Sequence, residues 1–133
     1  MRLKALIVED DESTRVLLRR LVQAQNCDVD EAKDGESAIT LLEKNDYAVI
    51  LLDIVLPKMS GTDVMDHLYK TNPAMLERII VVTGLNIEEV RKLFPTVCNA
   101  LPKPVIPQRL MESLNKCLRE SAPQAADERL MSL

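Results

Sequence analysis

A parallel α/β sheet with helices on both faces is predicted by three features of the 133-residue chain: short unbroken apolar runs, amphipathic stretches between them, and strict alternation of the two. Runs rich in β-branched residues and without polar alternation suit strands covered on both sides. The length fits one domain with a sizeable core.

The first strand is read over 3–8 (LKALIV). A helix over 14–24 follows, with Leu17, Leu18, Leu21 and Val22 on its apolar face and Arg15, Arg19, Arg20 and Gln23 elsewhere. CDVDEA (27–32) is a second, more polar strand, and 36–44 a helix presenting Ala38, Leu41 and Leu42. YAVILL (47–52) is the third strand, and 62–70 a helix with Val64, Met65 and Leu68 on one side. IIVV (79–82) is the fourth, and 87–94 a helix carrying Ile87, Val90 and Phe94. VCNAL (97–101) is the fifth, again more polar, and 106–118 the last helix, with Leu110, Leu114, Cys117 and Leu118 at helical spacing. Right-handed crossovers and polar edges give the order 2-1-3-4-5, a doubly wound, flavodoxin-like (βα)5 arrangement. Residues 1–119 are read as the domain and 120–133 (ESAPQAADERLMSL) as a polar tail or linker stub.

Composition excludes several function classes. The chain is 47% hydrophobic and 29% charged, as a globular domain is. Its aromatic residues are Tyr47, Tyr69 and Phe94, its net charge is −4, and it has no basic run, so direct nucleic-acid contact is not expected. Cys27, Cys98 and Cys117 form no CxxC pair and are odd in number. They are read as reduced thiols, neither a disulfide framework nor a zinc site. No apolar run approaches a membrane span and no signal-peptide pattern opens the chain, so a cytoplasmic protein without membrane insertion is expected.

In an open parallel sheet, ligands bind beyond the carboxyl ends of the strands. There the sequence places Glu9, Asp10 and Asp11 after the first strand, Asp53 after the third, Thr83 and Gly84 after the fourth, and Lys103 between Pro102 and Pro104 after the fifth. Carboxylates gathered at strand ends repel and are desolvated. A hard divalent cation such as Mg²⁺ removes that penalty. One carboxylate then remains a nucleophile toward phosphorus, while metal, ammonium and hydroxyl neutralise the transferring group. Asp11 is read as the cap of the first helix, leaving Glu9 and Asp10 for metal.

These residues carry a resemblance. LIVEDDE resembles the acidic pair, LLDIVLPKMSG the phosphoacceptor loop, VVTG the hydroxyl-bearing strand end and LPKP the lysine motif of the receiver domain of two-component response regulators, over roughly residues 3–119. The resemblance implies that Asp53 accepts phosphate, that Glu9, Asp10 and Asp53 with the Val55 carbonyl hold Mg²⁺, and that Thr83 and Lys103 meet the phosphoryl oxygens. It also implies a cis Lys103–Pro104 bond. The phosphoryl donor is then a sensor histidine kinase or histidine phosphotransfer protein, because the lone His67 is read as a solvated helix residue. Output is expected through a downstream protein target or a phosphorylation-dependent dimer.

Two other functions on the same fold were weighed. A phosphatase with an aspartyl-phosphate intermediate wants a second acid two residues after the nucleophile, where this chain has Val55, so a self-phosphorylating module without sustained turnover is expected rather than an enzyme. A flavin or nucleotide binder wants a glycine- or hydroxyl-rich loop after the first strand, where this chain has EDDEST. Val55 and Leu85, two after Asp53 and Thr83, are apolar, which predicts slow loss of phosphate. Ala100 stands three before Lys103, where receivers commonly carry Tyr or Phe.

Overall fold

The computed structural model describes residues 2–120. Five parallel strands, β1 (Leu3–Val8), β2 (Cys27–Ala32), β3 (Val49–Leu52), β4 (Ile79–Thr83) and β5 (Asn99–Pro102), form one sheet in the order β2-β1-β3-β4-β5. Helices α1 (Glu12–Gln23), α2 (Gly35–Lys44), α3 (Gly61–Thr71), α4 (Ile87–Leu93) and α5 (Pro107–Glu120) alternate with them. The tail expected over 120–133 lies, from 121 onward, outside the described residues.

Alternate strand residues feed opposite faces. Leu6, Val8, Ile50, Leu52, Ile79 and Val81 pack with Ala38 and Leu42 of α2, Val64, Met65 and Leu68 of α3, and Val90 of α4. Ala5, Ile7, Val49, Leu51, Ile80 and Val82 pack with Leu18 and Val22 of α1 and Leu110, Leu114 and Leu118 of α5. Both cores are mostly aliphatic, and β1, β3 and β4 are covered on both faces, which is why these central runs do not alternate.

Helix starts follow from short polar side chains that accept otherwise unpaired backbone N–H groups. Asp11 accepts from Thr14 N at 2.9 Å and Asp34 from Ser37 N at 2.7 Å. Ser60 and Asp63 form a reciprocal capping box, and Asn86 accepts from Glu89 N at 3.1 Å. Pro107 opens α5, where its missing N–H is harmless.

Three expectations are corrected. The third strand begins at Val49 rather than Tyr47, because its ladder with β1 starts at the Ala5–Val49 pair, preceded by Ala48 N–H on Lys4 O at 2.8 Å. The fifth begins at Asn99 rather than Val97, because Val97 N–H closes a turn onto Phe94 O. A 3-10 segment, Pro73–Arg78, with Met75 and Leu76 buried, fills the α3–β4 connection, to which the sequence pattern assigns no element.

The cysteine reading is also corrected: Cys98 and Cys117 form a disulfide, leaving Cys27 free and buried. Sequence spacing concealed this, because the pair is 19 residues apart and meets only when α5 folds back over β5, with a Cα–Cα separation of 6.2 Å. Closing a loop of this length stabilises a fold by about 3 kcal/mol. Urea denaturation should show that loss on adding reductant to the native chain, and Cys98→Ala should be insensitive to reductant; a native curve unmoved by reductant would show that the link does not operate in solution.

Candidate functional site

The carboxyl ends of β1, β3, β4 and β5 converge because the chain order reverses between β1 and β3. Glu9 directly follows β1, and its N–H is fixed to Ala32 O at the end of β2 at 3.0 Å. Asp53 directly follows β3, with its N–H on Val8 O at 3.1 Å. Glu9, Asp10 and Asp53 each offer a carboxylate oxygen within 4.8 Å of the others. Glu9 and Asp53 are buried, whereas Asp10 is exposed at the mouth.

Lys103 joins them from β5. Its Nζ lies 2.8 Å from Asp53 Oδ2 and 2.7 Å from Glu9 Oε1. The backbone places it there: Lys103 N–H donates to Thr83 O at 2.9 Å, and the Lys103–Pro104 bond is cis, as the resemblance implies. Burial alone would lower the Lys103 ammonium, but the hydrogen bonds and charges of Asp53 and Glu9 outweigh it and raise it above the usual lysine value. Burial pushes the Glu9 carboxyl up, against the hydrogen bonds from Lys103 and Asp11 N–H.

The second oxygen of each buried acid is held by a backbone amide. Glu9 Oε2 accepts from Asp11 N at 3.1 Å, and Asp53 Oδ1 accepts from Val55 N at 3.1 Å. Glu9 Oε1 is met by Lys103 Nζ alone, at 2.7 Å. Buried carboxylates of Glu9 and Asp53 beside the exposed carboxylate of Asp10 are a donor set of hard oxygens that fits Mg²⁺.

Thr83 is fully buried at the end of β4, with its Oγ1 accepting from Leu85 N at 3.3 Å. Val55 is 59% exposed and Leu85 45% exposed, leaving two apolar side chains open to solvent on the loops that flank Asp53 and Thr83. Asp11 caps α1 as expected; bonds from Thr14 and Ser13 hold its carboxyl down to about 2. His67 lies 3.9 Å from Glu43 of α2, well along α3 from the strand ends.

Sequence reasoning missed one residue here. Arg15, read as part of the polar side of its helix, is buried, donating from Nη1 to Glu9 O at 3.0 Å and to Asp10 O at 3.4 Å. The pattern did contain the hint, since Arg15, Leu18 and Val22 are spaced three and four apart, the interval of one helix face.

A model of the response regulator receiver domain family matches residues 5–115. The Haemophilus influenzae protein described as a CpxR homolog, a transcriptional regulatory protein, is 31% identical over 121 residues, covering 90% of this chain and 52% of that protein. The chain thus spans about half the length of the curated relatives it matches. A CheY-like response regulator receiver domain protein from Methanospirillum hungatei is 27% identical with a TM-score of 0.81, covering 93% of this chain and 99% of that one. The Thermotoga maritima response regulator TrrA, solved in complex with Mg²⁺-BeF, is 25% identical with a TM-score of 0.76, covering 88% and 99%.

The acid–lysine cluster carries a prediction about stability. Removing one partner of a buried pair costs about 3–5 kcal/mol. Lys103 is 24% exposed, so solvent takes part of that cost and Lys103→Met should lose about 2–3 kcal/mol at pH 7. Because the folded-state value of Glu9 is raised, protonating it favours the folded state as pH falls, and does so more strongly without the ammonium. Urea denaturation should therefore show a smaller deficit at pH 5 than at pH 7; an equal deficit would remove carboxylate repulsion as its cause.

Proposed function

Because the chain belongs to the response regulator receiver domain family, we propose that it is a phosphoacceptor module that takes a phosphoryl group from a partner's phosphohistidine onto Asp53. The observation that carries this reading is the single ammonium of Lys103 within 2.8 Å of both buried acids, Asp53 and Glu9. A carboxylate oxygen of Asp53 attacks phosphorus, an O–P bond forms, the N–P bond breaks, and the imidazole leaves with its electron pair and takes a proton. Lys103 neutralises the equatorial oxygens as charge shifts onto them. Thr83 uses its hydroxyl as an acceptor for Leu85 N–H, which leaves its proton for a phosphoryl oxygen. Glu9, Asp10, Asp53 and the Val55 carbonyl would hold Mg²⁺, which when bound supplies positive charge for the transferring group.

The donor is a sensor histidine kinase or a histidine phosphotransfer protein, since the chain's one histidine lies along α3 beside Glu43. The module catalyses its own phosphorylation without sustained turnover, as the apolar, exposed Val55 offers no second acid. Readout passes through the region from Gly84 to Leu101 to a downstream protein target or a second copy, because Ala100 is a buried methyl with no rotamer to report the site. The setting is proposed to be cytoplasmic; among the described residues no helix is long and apolar enough to cross a membrane.

Acetyl phosphate with Mg²⁺ should place a hydroxylamine-sensitive phosphate on the native chain and none on Asp53→Ala, and chelation of Mg²⁺ should prevent it. Equal labelling of the variant would move the acceptor elsewhere. The phosphoryl group should also be long-lived, since neither Val55 nor Leu85 can orient a water. Val55→Asn or Leu85→Glu should hasten its loss by about tenfold, short of the ~10²–10⁴-fold that a fully positioned general base contributes. A decay rate untouched by both substitutions would show that these side chains do not control it.

A further inference from the structure

We infer that Arg15 is a positioning residue for the metal pocket: its guanidinium holds the backbone of the β1–α1 loop so that the carboxylates of Glu9 and Asp10 stay beside Asp53. The inference rests on the reading of that pocket as a Mg²⁺ site. Arg15 occupies an apolar-stripe position of α1 and is only 8% exposed. Burying a guanidinium costs several kcal/mol unless it is fully paired, and an aliphatic residue would fill such a stripe without that cost. Its contacts explain its presence. Nη1 donates to Glu9 O at 3.0 Å and approaches Asp10 O at 3.4 Å, while Nε lies 3.2 Å from Glu31 Oε1 on β2.

The loop needs such a clamp. Glu9, Asp10 and Asp53 are held within 4.8 Å of one another, and their mutual repulsion favours any movement of the loop that separates them. Glu9 is at the end of a strand and is tied by its N–H to Ala32, but the two carbonyls that follow have left the ladder. Arg15 meets both carbonyls, and Glu31, in register with Ile7 of β1, fixes the other edge of the guanidinium to the sheet. A planar fork can span carbonyls and carboxylate at once, which a point charge such as lysine cannot. Arg19 provides the contrast: its Nη1 meets the same Glu31 at 3.1 and 3.2 Å and bonds neither loop carbonyl.

Mg²⁺ titrations followed by the backbone amide signals of Asp53, Ile54 and Val55, together with thermal unfolding in the absence of Mg²⁺, test this on the full chain. Groups that orient metal ligands from behind change metal affinity by about 10–100-fold. Arg15→Met, folded, should therefore bind Mg²⁺ about tenfold or more weakly than native, with Arg15→Lys between the two. Arg19→Met, which loses only a surface pair, should stay within about twofold of native. A merely structural role would lower the unfolding temperature of Arg15→Met while its folded form kept native affinity, and that result would overturn the inference, as would equal losses for Arg15→Met and Arg19→Met. Should Arg15→Met not fold, Glu31→Ala removes the carboxylate that anchors the guanidinium instead: weakened Mg²⁺ binding supports the clamp, and native binding overturns it. A native chain whose amides ignore Mg²⁺ would overturn the metal reading and the inference with it, whereas a titrating native chain and an identical Arg15→Met would overturn the inference alone.

Discussion

Glu9 and Asp53 emerge from neighbouring buried strands with their carboxylates facing the same point, and the rest of the site answers the repulsion that results. Like charges this close cannot both stay ionised in a dry setting without compensation. Lys103 supplies one cation from the far edge of the sheet, and amides of Asp11 and Val55 supply dipoles. The compensation is incomplete, since three carboxylates face one ammonium. The remaining negative potential would favour a divalent cation, and a cation there would in turn favour a phosphoryl group. Accepting an anion in an acidic pocket would then be a two-step electrostatic problem, whose first step the lysine addresses.

Much of this was legible in the residues. The central strands could be read because they feed a core on each face, so that Val49 to Leu52 and Ile79 to Val82 must be apolar on both sides. The strand order followed from the more polar second and fifth strands, which sit at the edges. Asp53 and Thr83 stood out for the same reason, as polar residues closing such runs, and Lys103 by its place between Pro102 and Pro104 after the fifth strand.

What stayed hidden depends on partners distant in sequence. Arg15 was assigned by its chemical type to the polar side of α1, and only its contacts with Glu9, Asp10 and Glu31 show why a charge occupies a core position. The Cys98–Cys117 link has no local pattern, because it depends on α5 lying over β5. The 3-10 segment from Pro73 has too few residues for a period to be visible; its fixing contacts run from Arg78 Nη1 to Tyr47 O and Asp46, some thirty positions earlier.

The glycines give the pocket an unequal surround. A methyl group added at Gly35 would stand 1.9 Å from Met59 O, and one at Gly61 would stand 2.4 Å from Asp53 O, so the loop bearing Asp53 is wedged between the starts of α2 and α3. Gly61 N–H closes that loop onto Ile54 O at 2.8 Å. At Gly84, which is exposed, the place a methyl would take is open apart from the glycine's own chain neighbours. Closely packed backbone cannot yield to an added side chain. The loop that carries Asp53 therefore admits no side chain at the start of either α2 or α3, whereas the turn after Thr83 has room for one.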